Sequence, residues 1–256
     1  MRILVTNDDG IHAAGLVALV RALRDVGEVT VVAPERERSA VSHAISLHDP
    51  LRAWPVSFEG APAWAVNGMP ADCVLLGSRE LMEAPPDVVV SGINRGANLG
   101  EDVWYSGTVS AAMEGTILGF PAVAFSVCCG REAPDFRAAA IAATQLVPLA
   151  AEHLPDDTLL NVNVPNLAPE RIEGAELCHQ GRRRYQTTFD KRIDPRGGIY
   201  YWIGTGDPQD EPLPGTDVGA VAARRIAITP IRLDLTAVDS LEALADWPNS
   251  PWRAGS

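Results

Sequence analysis

The sequence is almost without lysine: Lys191 is the only one, so its basic residues are nearly all arginine. Phospho-acceptor receiver domains need a lysine ending a late strand. Lys191 lies far from any such position, and the chain is about twice a receiver's length. Basic residues are scarce as a class, 21 against 33 acidic ones, for a net charge of −12. Binders of nucleic-acid polymers usually present a basic surface to the phosphates, so this balance argues against that class. It leaves small phosphate ligands open, because a bound cation can invert the local field. No apolar run is long enough to span a bilayer, and the opening MRILVTNDDG places acids where a secretory leader needs its apolar stretch. A cytoplasmic protein without membrane partners is expected.

Other signatures are missing as well. The four cysteines, Cys73, Cys128, Cys129 and Cys178, form no C-x-x-C pair and no zinc spacing, so they read as buried free thiols. The five histidines show no H-x-x-x-H ligand spacing. His12 and His43 lie near the chemically interesting stretches, where surface or packing roles compete with an acid or orienting role. There is no G-x-S-x-G elbow, no G-K-[ST] phosphate loop and no D-x-D after the first strand, which a haloacid-dehalogenase-type phosphatase requires.

What is present is a globular composition, 46% hydrophobic and 21% charged over 256 residues. Short β-branched runs alternate with Ala/Leu-rich stretches. Strands are expected at Ile3–Val5, Val29–Val32, Ala63–Val66, Val88–Val90, Ala122–Phe125 and Leu159–Val164. Helices are expected at Leu16–Leu23, from Pro70 through Leu76, at Thr108–Leu118 and at Phe136–Leu149. The strands are continuously apolar rather than alternating, as in a parallel sheet covered on both faces. The pattern predicts an α/β fold: a Rossmann-like, doubly wound, mostly parallel sheet over residues 1–165. An extension over 166–235 follows. In it, Arg182 to Gly206 reads as a β-hairpin arm, with β-like runs around Tyr185 and at Tyr200–Ile203. Val218 to Arg225 reads as a helix and Ile226 to Ile231 as a closing strand. Residues 236–256 form a tail, expected to fray from Trp247 onward.

Four stretches carry candidate chemistry. Thr6-Asn7-Asp8-Asp9-Gly10 follows the first strand, and ligands of open α/β sheets bind beyond the carboxyl ends of strands. Two adjacent carboxylates there repel each other unless a cation neutralises them, and hard oxygen donors suit Mg²⁺, Mn²⁺ or Ca²⁺. A solvated turn leading into a helix N-terminus has the same look. Ser91 to Gly100 (SGINRGANLG) supplies three glycines and two asparagines, which fit either a structural turn or a loop offering N–H groups and amide oxygens. Tyr105-Ser106-Gly107-Thr108 heads a helix, where Ser and Thr serve as caps or as an anion site. Arg36-Glu37-Arg38-Ser39 follows the second strand, either as a charged surface loop or with Ser39 on a metal and the arginines toward phosphate. The four follow three different strands, as a site assembled at one sheet edge requires.

Together these stretches resemble the SurE family. The similarity lies in MRILVTNDDGI, in VVAPERERSAVS (Val31–Ser42), in VVSGINRGANLGEDVWYSGTVSAAMEG (Val89–Gly115), in GFPAVAFS (Gly119–Ser126), in NVNVP (Asn161–Pro165) and in the closing GTDVGAVAARRIAITPI. The resemblance implies an enzyme, a 5′-nucleotidase that hydrolyses nucleoside 5′-monophosphates, often 3′-monophosphates and short polyphosphate. It implies one divalent cation per subunit, Mg²⁺ or Mn²⁺ by preference, on Asp8, Asp9, Ser39 and Asn94. Substrate phosphate contacts are implied for the Gly96 loop and for Ser106, Gly107 and Thr108, and Asn94 and the Asn98 side chain are expected to join them. Asp8 and Asp9 are the expected catalytic pair, with Asp8 taking a proton from water. A homodimer or homotetramer through the arm is also implied. Two places depart from the family pattern: Arg95 after SGIN, and the pair Arg224–Arg225 in the closing segment.

Overall fold

The structure, a computed structural model, describes residues 1–245; the tail from Trp247 lies outside the described residues. The core runs β1 (Arg2–Thr6), α1 (Ala14–Leu23), β2 (Glu28–Pro34), β3 (Ala53–Pro55), β4 (Ala63–Val66), α2 (Pro70–Leu76), β5 (Val88–Arg95), α3 (Gly107–Ile117), β6 (Ala122–Cys128), α4 (Arg137–His153) and β7 (Thr158–Pro165). Then come β8 (Ala175–Leu177), β9 (Arg182–Arg184), β10 (Thr187–Ile193), β11 (Ile199–Thr205), β12 (Gln209–Glu211), α5 (Asp217–Ala222) and β13 (Ile226–Arg232).

One nine-stranded sheet dominates, in the order β3-β4-β2-β1-β5-β6-β7-β13-β8. All neighbours pair in parallel except β3 on β4 and β13 on β7. The continuous apolar runs have a simple cause. Alternate strand residues point to opposite faces, and both faces are covered. Ile3, Val5, Val90 and Val123 pack with Leu16 and Leu19 of α1 and Ala139 and Val147 of α4. Leu4, Val32, Val89 and Ala124 pack with Val74 of α2 and Val109 and Ala112 of α3.

The chain leaves β1 toward β2 on one side and later returns to place β5 on the other. The gap beyond the carboxyl ends of β1 and β5 is therefore a topological switch point, where open α/β sheets form crevices. At that end β5 runs on to Arg95, past the expected end at Val90. Its pairing with β6 slips between Ser91 and Asn94 and then resumes with Asn94 opposite Ser126.

The arm is the antiparallel pair β10–β11, and its root is the short pair β9–β12. The expected run around Tyr185 falls between β9 and β10. Alternation rather than the tyrosine defines the strand: Phe189 faces Ile203, Lys191 faces Tyr201 and Ile193 faces Ile199.

Candidate active site

A polar cleft of about 360 Å³ opens at the switch point. Among its lining residues are Asp8, Asp9, Ser39, Asn94, Asn98 and Ser106. Four separate stretches of sequence thus converge: the ends of β1 and β5, the loop after β2, and the head of α3.

Asp8 is the best anchored of them. It is 5% exposed. Its Oδ1 accepts from Thr108 Oγ1 at 2.5 Å, and its carbonyl accepts from the Arg38 N–H at 2.7 Å. Gly10, at φ 96°, supplies the turn that follows. Gly107 lies so close that a Cβ there would stand 2.7 Å from Asp8 Cβ and 2.8 Å from Oδ2, so only glycine fits. Burial pushes the Asp8 carboxyl up to about 6; the Thr108 hydroxyl works against this and the neighbouring Asp9 adds to it. Asp9 is also raised, chiefly by burial and further by Glu37, while its bond from the Arg95 N–H at 3.1 Å pulls it down. Among the described residues no arginine or lysine side chain is hydrogen-bonded to either carboxylate.

The other expected residues divide into two sets. Ser39 reaches the cleft, its hydroxyl donating to Glu37 Oε1 at 2.6 Å. Asn94 reaches it too, its Nδ2 donating to the Gly96 carbonyl at 3.0 Å. Ser106 lines the cleft and caps α3, its Oγ accepting from the Val109 N–H at 3.0 Å. Gly96, Gly107 and Thr108 are not among the lining residues. Thr108 is fully buried and turned to Asp8, and Gly107 backs the same carboxylate. Arg36 and Arg38 line a different depression beside Arg52 and Asn67, where Arg38 Nη2 donates to the Asn67 carbonyl. His12 is exposed, and His43 Nε2 pairs with Glu114 Oε2 at 2.7 Å; neither lines the cleft.

The cleft also has members that the sequence did not disclose. Asp102 and Tyr185 line it, and the Tyr185 hydroxyl donates to Asp102 Oδ2 at 3.1 Å. Arg183 of β9, 12% exposed at its side chain, bridges Asp102 Oδ2 at 3.1 Å and Asp210 Oδ1 at 3.0 Å. Burial raises the Asp102 carboxyl and Arg183 opposes it. Behind the wall, Asn161 and Asn163 of β7 and Asp217 of α5 are fully buried. Asp217 Oδ2 accepts from the Gly100 N–H at 2.9 Å and its Oδ1 from the Gly181 N–H at 2.7 Å. The sequence held one signal for part of this: two asparagines two apart in a strand otherwise apolar.

Such a cleft, with oxygen donors set at the switch point of a parallel sheet, defines the class as an open α/β protein with an acidic crevice site. The family described as "Survival protein SurE" matches residues 3–187. The chain is 52% identical to the 5′-nucleotidase SurE of Geobacter sulfurreducens over 254 residues, 99% of this chain and 96% of that protein. It is 52% identical to the protein of the same name from Heliobacterium modesticaldum over 251 residues, 96% of this chain and 92% of that one. The crystal structure of the SurE protein from Aquifex aeolicus superposes with a TM-score of 0.82 at 42% identity, covering 97% of this chain and 100% of that one. The chain belongs to the SurE family.

Proposed function

We propose that the chain is a 5′-nucleotidase that hydrolyses nucleoside 5′-monophosphates to nucleoside and phosphate with the help of one divalent cation per subunit. The observation that carries the mechanism is the convergence of Asp8 and Asp9 with Ser39, Asn94, Asn98 and Ser106 on one cleft. The donor set fits a hard cation, Mg²⁺ or Mn²⁺. Asp8, Asp9, Ser39 and Asn94 offer only oxygens, with no thiolate or imidazole among them. Both carboxylates are raised by burial, and among the described residues neither is hydrogen-bonded to a cationic side chain, although the charge of Arg95 partly opposes the rise at Asp9. The bond from Asn94 Nδ2 to Gly96 leaves its Oδ1 as the atom for the cation. Such a cation supplies Lewis acidity toward a phosphoryl oxygen and toward water.

The chain's own residues do the rest. Thr108 and Gly107 fix Asp8 from behind, and Asp8 accepts the proton of the attacking water. As the new P–O bond forms, the bond to the nucleoside oxygen breaks; that oxygen takes a proton from solvent and leaves as a hydroxyl, and Asp8 gives the proton it accepted back to solvent. Asn98, Ser106 and the main chain of the Gly96 loop hold the phosphoryl oxygens. Direct attack by Asp8 would form an aspartyl-phosphate, so borohydride reduction during turnover distinguishes the routes: conversion of Asp8 to homoserine would exclude the water route. The same cleft takes 3′-monophosphates and short polyphosphate as the further substrates to be screened.

The arm supports a homodimer or homotetramer. Its pairing register places Phe189, Ile193, Ile199, Tyr201 and Ile203 on one face, and all are exposed. A second copy of this chain would cover such a face. No helix among the described residues is long and apolar enough to cross a membrane, in keeping with a cytoplasmic place of work. The deciding measurement is phosphate release from AMP with Mn²⁺. Release is expected, with loss on chelation and recovery on adding Mg²⁺ or Mn²⁺. Activity unchanged by excess chelator would overturn the metal assignment.

A further inference from the structure

The stretch Gly96 to Gly100 lies between β5 and the turn that leads to α3, and it carries Asn98 into the cleft. Its glycines sit at φ 129° and 51°, a region that favours glycine. This stretch is held at its ends by the Val127 carbonyl on Gly96 and by Asp217 on Gly100, and at its middle by the asparagines of β7. The Asn98 N–H donates to Asn163 Oδ1 at 2.8 Å. Asn163 Nδ2 returns a bond to the Asn98 carbonyl at 3.0 Å. Asn161 Nδ2 donates to the same carbonyl at 2.8 Å. Asn98 Nδ2 in turn donates to Ser126 Oγ of β6 at 2.7 Å. The Asn163 amide thus pairs with the Asn98 main chain as a neighbouring strand would, with both a donor and an acceptor.

Stability alone does not account for these amides. Position 162 between them, and 159 and 164 around them, are filled by buried Val or Leu. A buried amide contributes little net stability even when paired, and Asn161 Oδ1 has no hydrogen-bond partner among the described residues, which is a cost. Polar groups kept in a core at such cost mark a place where geometry is being fixed.

We propose that Asn163, seconded by Asn161, is a positioning residue that aims Asn98 at the phosphoryl group. This rests on the reading of the cleft as the phosphate site of a nucleotidase. Asn163 touches no substrate and acts only through the Asn98 main chain. Its loss therefore disorders a group that counts in the transition state, and lowers kcat more than it raises KM.

The test is a double-mutant cycle on AMP hydrolysis with saturating Mn²⁺, using the unaltered protein, Asn163→Ala, Asn98→Ala and the double variant. Asn163→Ala is expected to lower kcat about 10- to 100-fold with KM changed by less than about threefold. The double variant is expected to match Asn98→Ala within about twofold, because a residue that works through another adds nothing once that one is gone. Effects that multiply in an active protein would overturn the positioning role and leave the nucleotidase reading standing. An unaltered protein that releases no phosphate would overturn both. A second readout needs no turnover. In chelator, amide hydrogen exchange at 96–100 is expected to speed up at least about tenfold in Asn163→Ala, with α3 and β6 unchanged. Unchanged exchange in that segment would also overturn the role. If Asn163→Ala does not fold, Asn161→Ala removes a single bond and is expected to show a smaller loss with the same non-additivity. Full multiplicativity there would again overturn it.

Discussion

The cleft and the arm break the same rule in opposite directions. At the cleft, polar side chains are buried: Asp8, Asn98, Asn161, Asn163 and Asp217 sit where a core usually holds apolar groups. On the arm, apolar side chains are exposed: Phe189 at 68%, Ile203 at 69% and Trp202 at 61%. Each inversion costs stability in the isolated chain. On the function proposed above, each would be offset by something outside it, a cation and a phosphate in one case and a second copy of the chain in the other. The core between them, with Ile3 to Val5 and Val88 to Val90 fully buried, shows no such debt.

The comparison can be broken most directly at Asp8. Asp8→Asn should lower kcat for AMP by about three orders of magnitude or more at saturating Mn²⁺. It should also melt at or above the unaltered protein in chelator near neutral pH, because it removes a buried charge without a cationic partner. Lost activity with a lower melting temperature would mean that Asp8 is structural. Gly107→Ala comes next. The new Cβ would stand 2.7 Å from Asp8 Cβ, and the displaced carboxylate should cost about 100-fold in kcat, as steady-state kinetics would record.

The pH dependence of stability sharpens the cleft side. Burial raises the Asp8 carboxyl from 3.8 to about 6, so the folded, chelated protein holds that proton more tightly than the unfolded chain. The resulting stability is present below about pH 4 and is lost as pH rises through about 6, on the order of 3 kcal/mol. Cation and proton compete for the same oxygens, so added Mn²⁺ should raise the melting temperature more near pH 7 than near pH 5. Calorimetry at several pH values with and without Mn²⁺ checks this, and an equal rise at both would count against a carboxylate ligand. The smallest effect on catalysis belongs to the arm. Ile203→Asp should reduce the assembled mass in light scattering while kcat per chain stays within about threefold. A variant that keeps its assembly state would place the contact elsewhere.

The sheet was legible because its signal is local. Apolar runs bounded by turn residues located every strand of the nine except the short edge strands β3 and β8, whose residues are mostly exposed. Asp8, Asp9, Ser39, Asn94, Asn98 and Ser106 are implied by the SurE resemblance, and they meet because their stretches lie at or beyond the carboxyl ends of β1, β2 and β5, which share one edge. Which of the candidates face the cleft could not be gathered. Thr108 turns inward to a carboxylate one hundred positions earlier in the chain, and Arg38 turns to Asn67. Asn163 meets Asn98 across 65 positions and Asp217 meets Gly100 across 117, separations that no local pattern encodes. The arm's first strand was misplaced around Tyr185 because the tyrosine and the arginines before it outweighed the alternation that begins at Thr187. Tyr185 instead points its hydroxyl at Asp102.

Asp217 belongs to the last helix before the closing strand, yet one of its oxygens holds Gly100 and the other Gly181. A chain emerging from the ribosome presents Asp8 and Asp9 early, but receives this clamp only when residue 217 appears. A nascent chain therefore holds the middle of the loop through Asn161 and Asn163 before its Gly100 end is fastened, and translation has to pass the arm before the crevice takes its final shape.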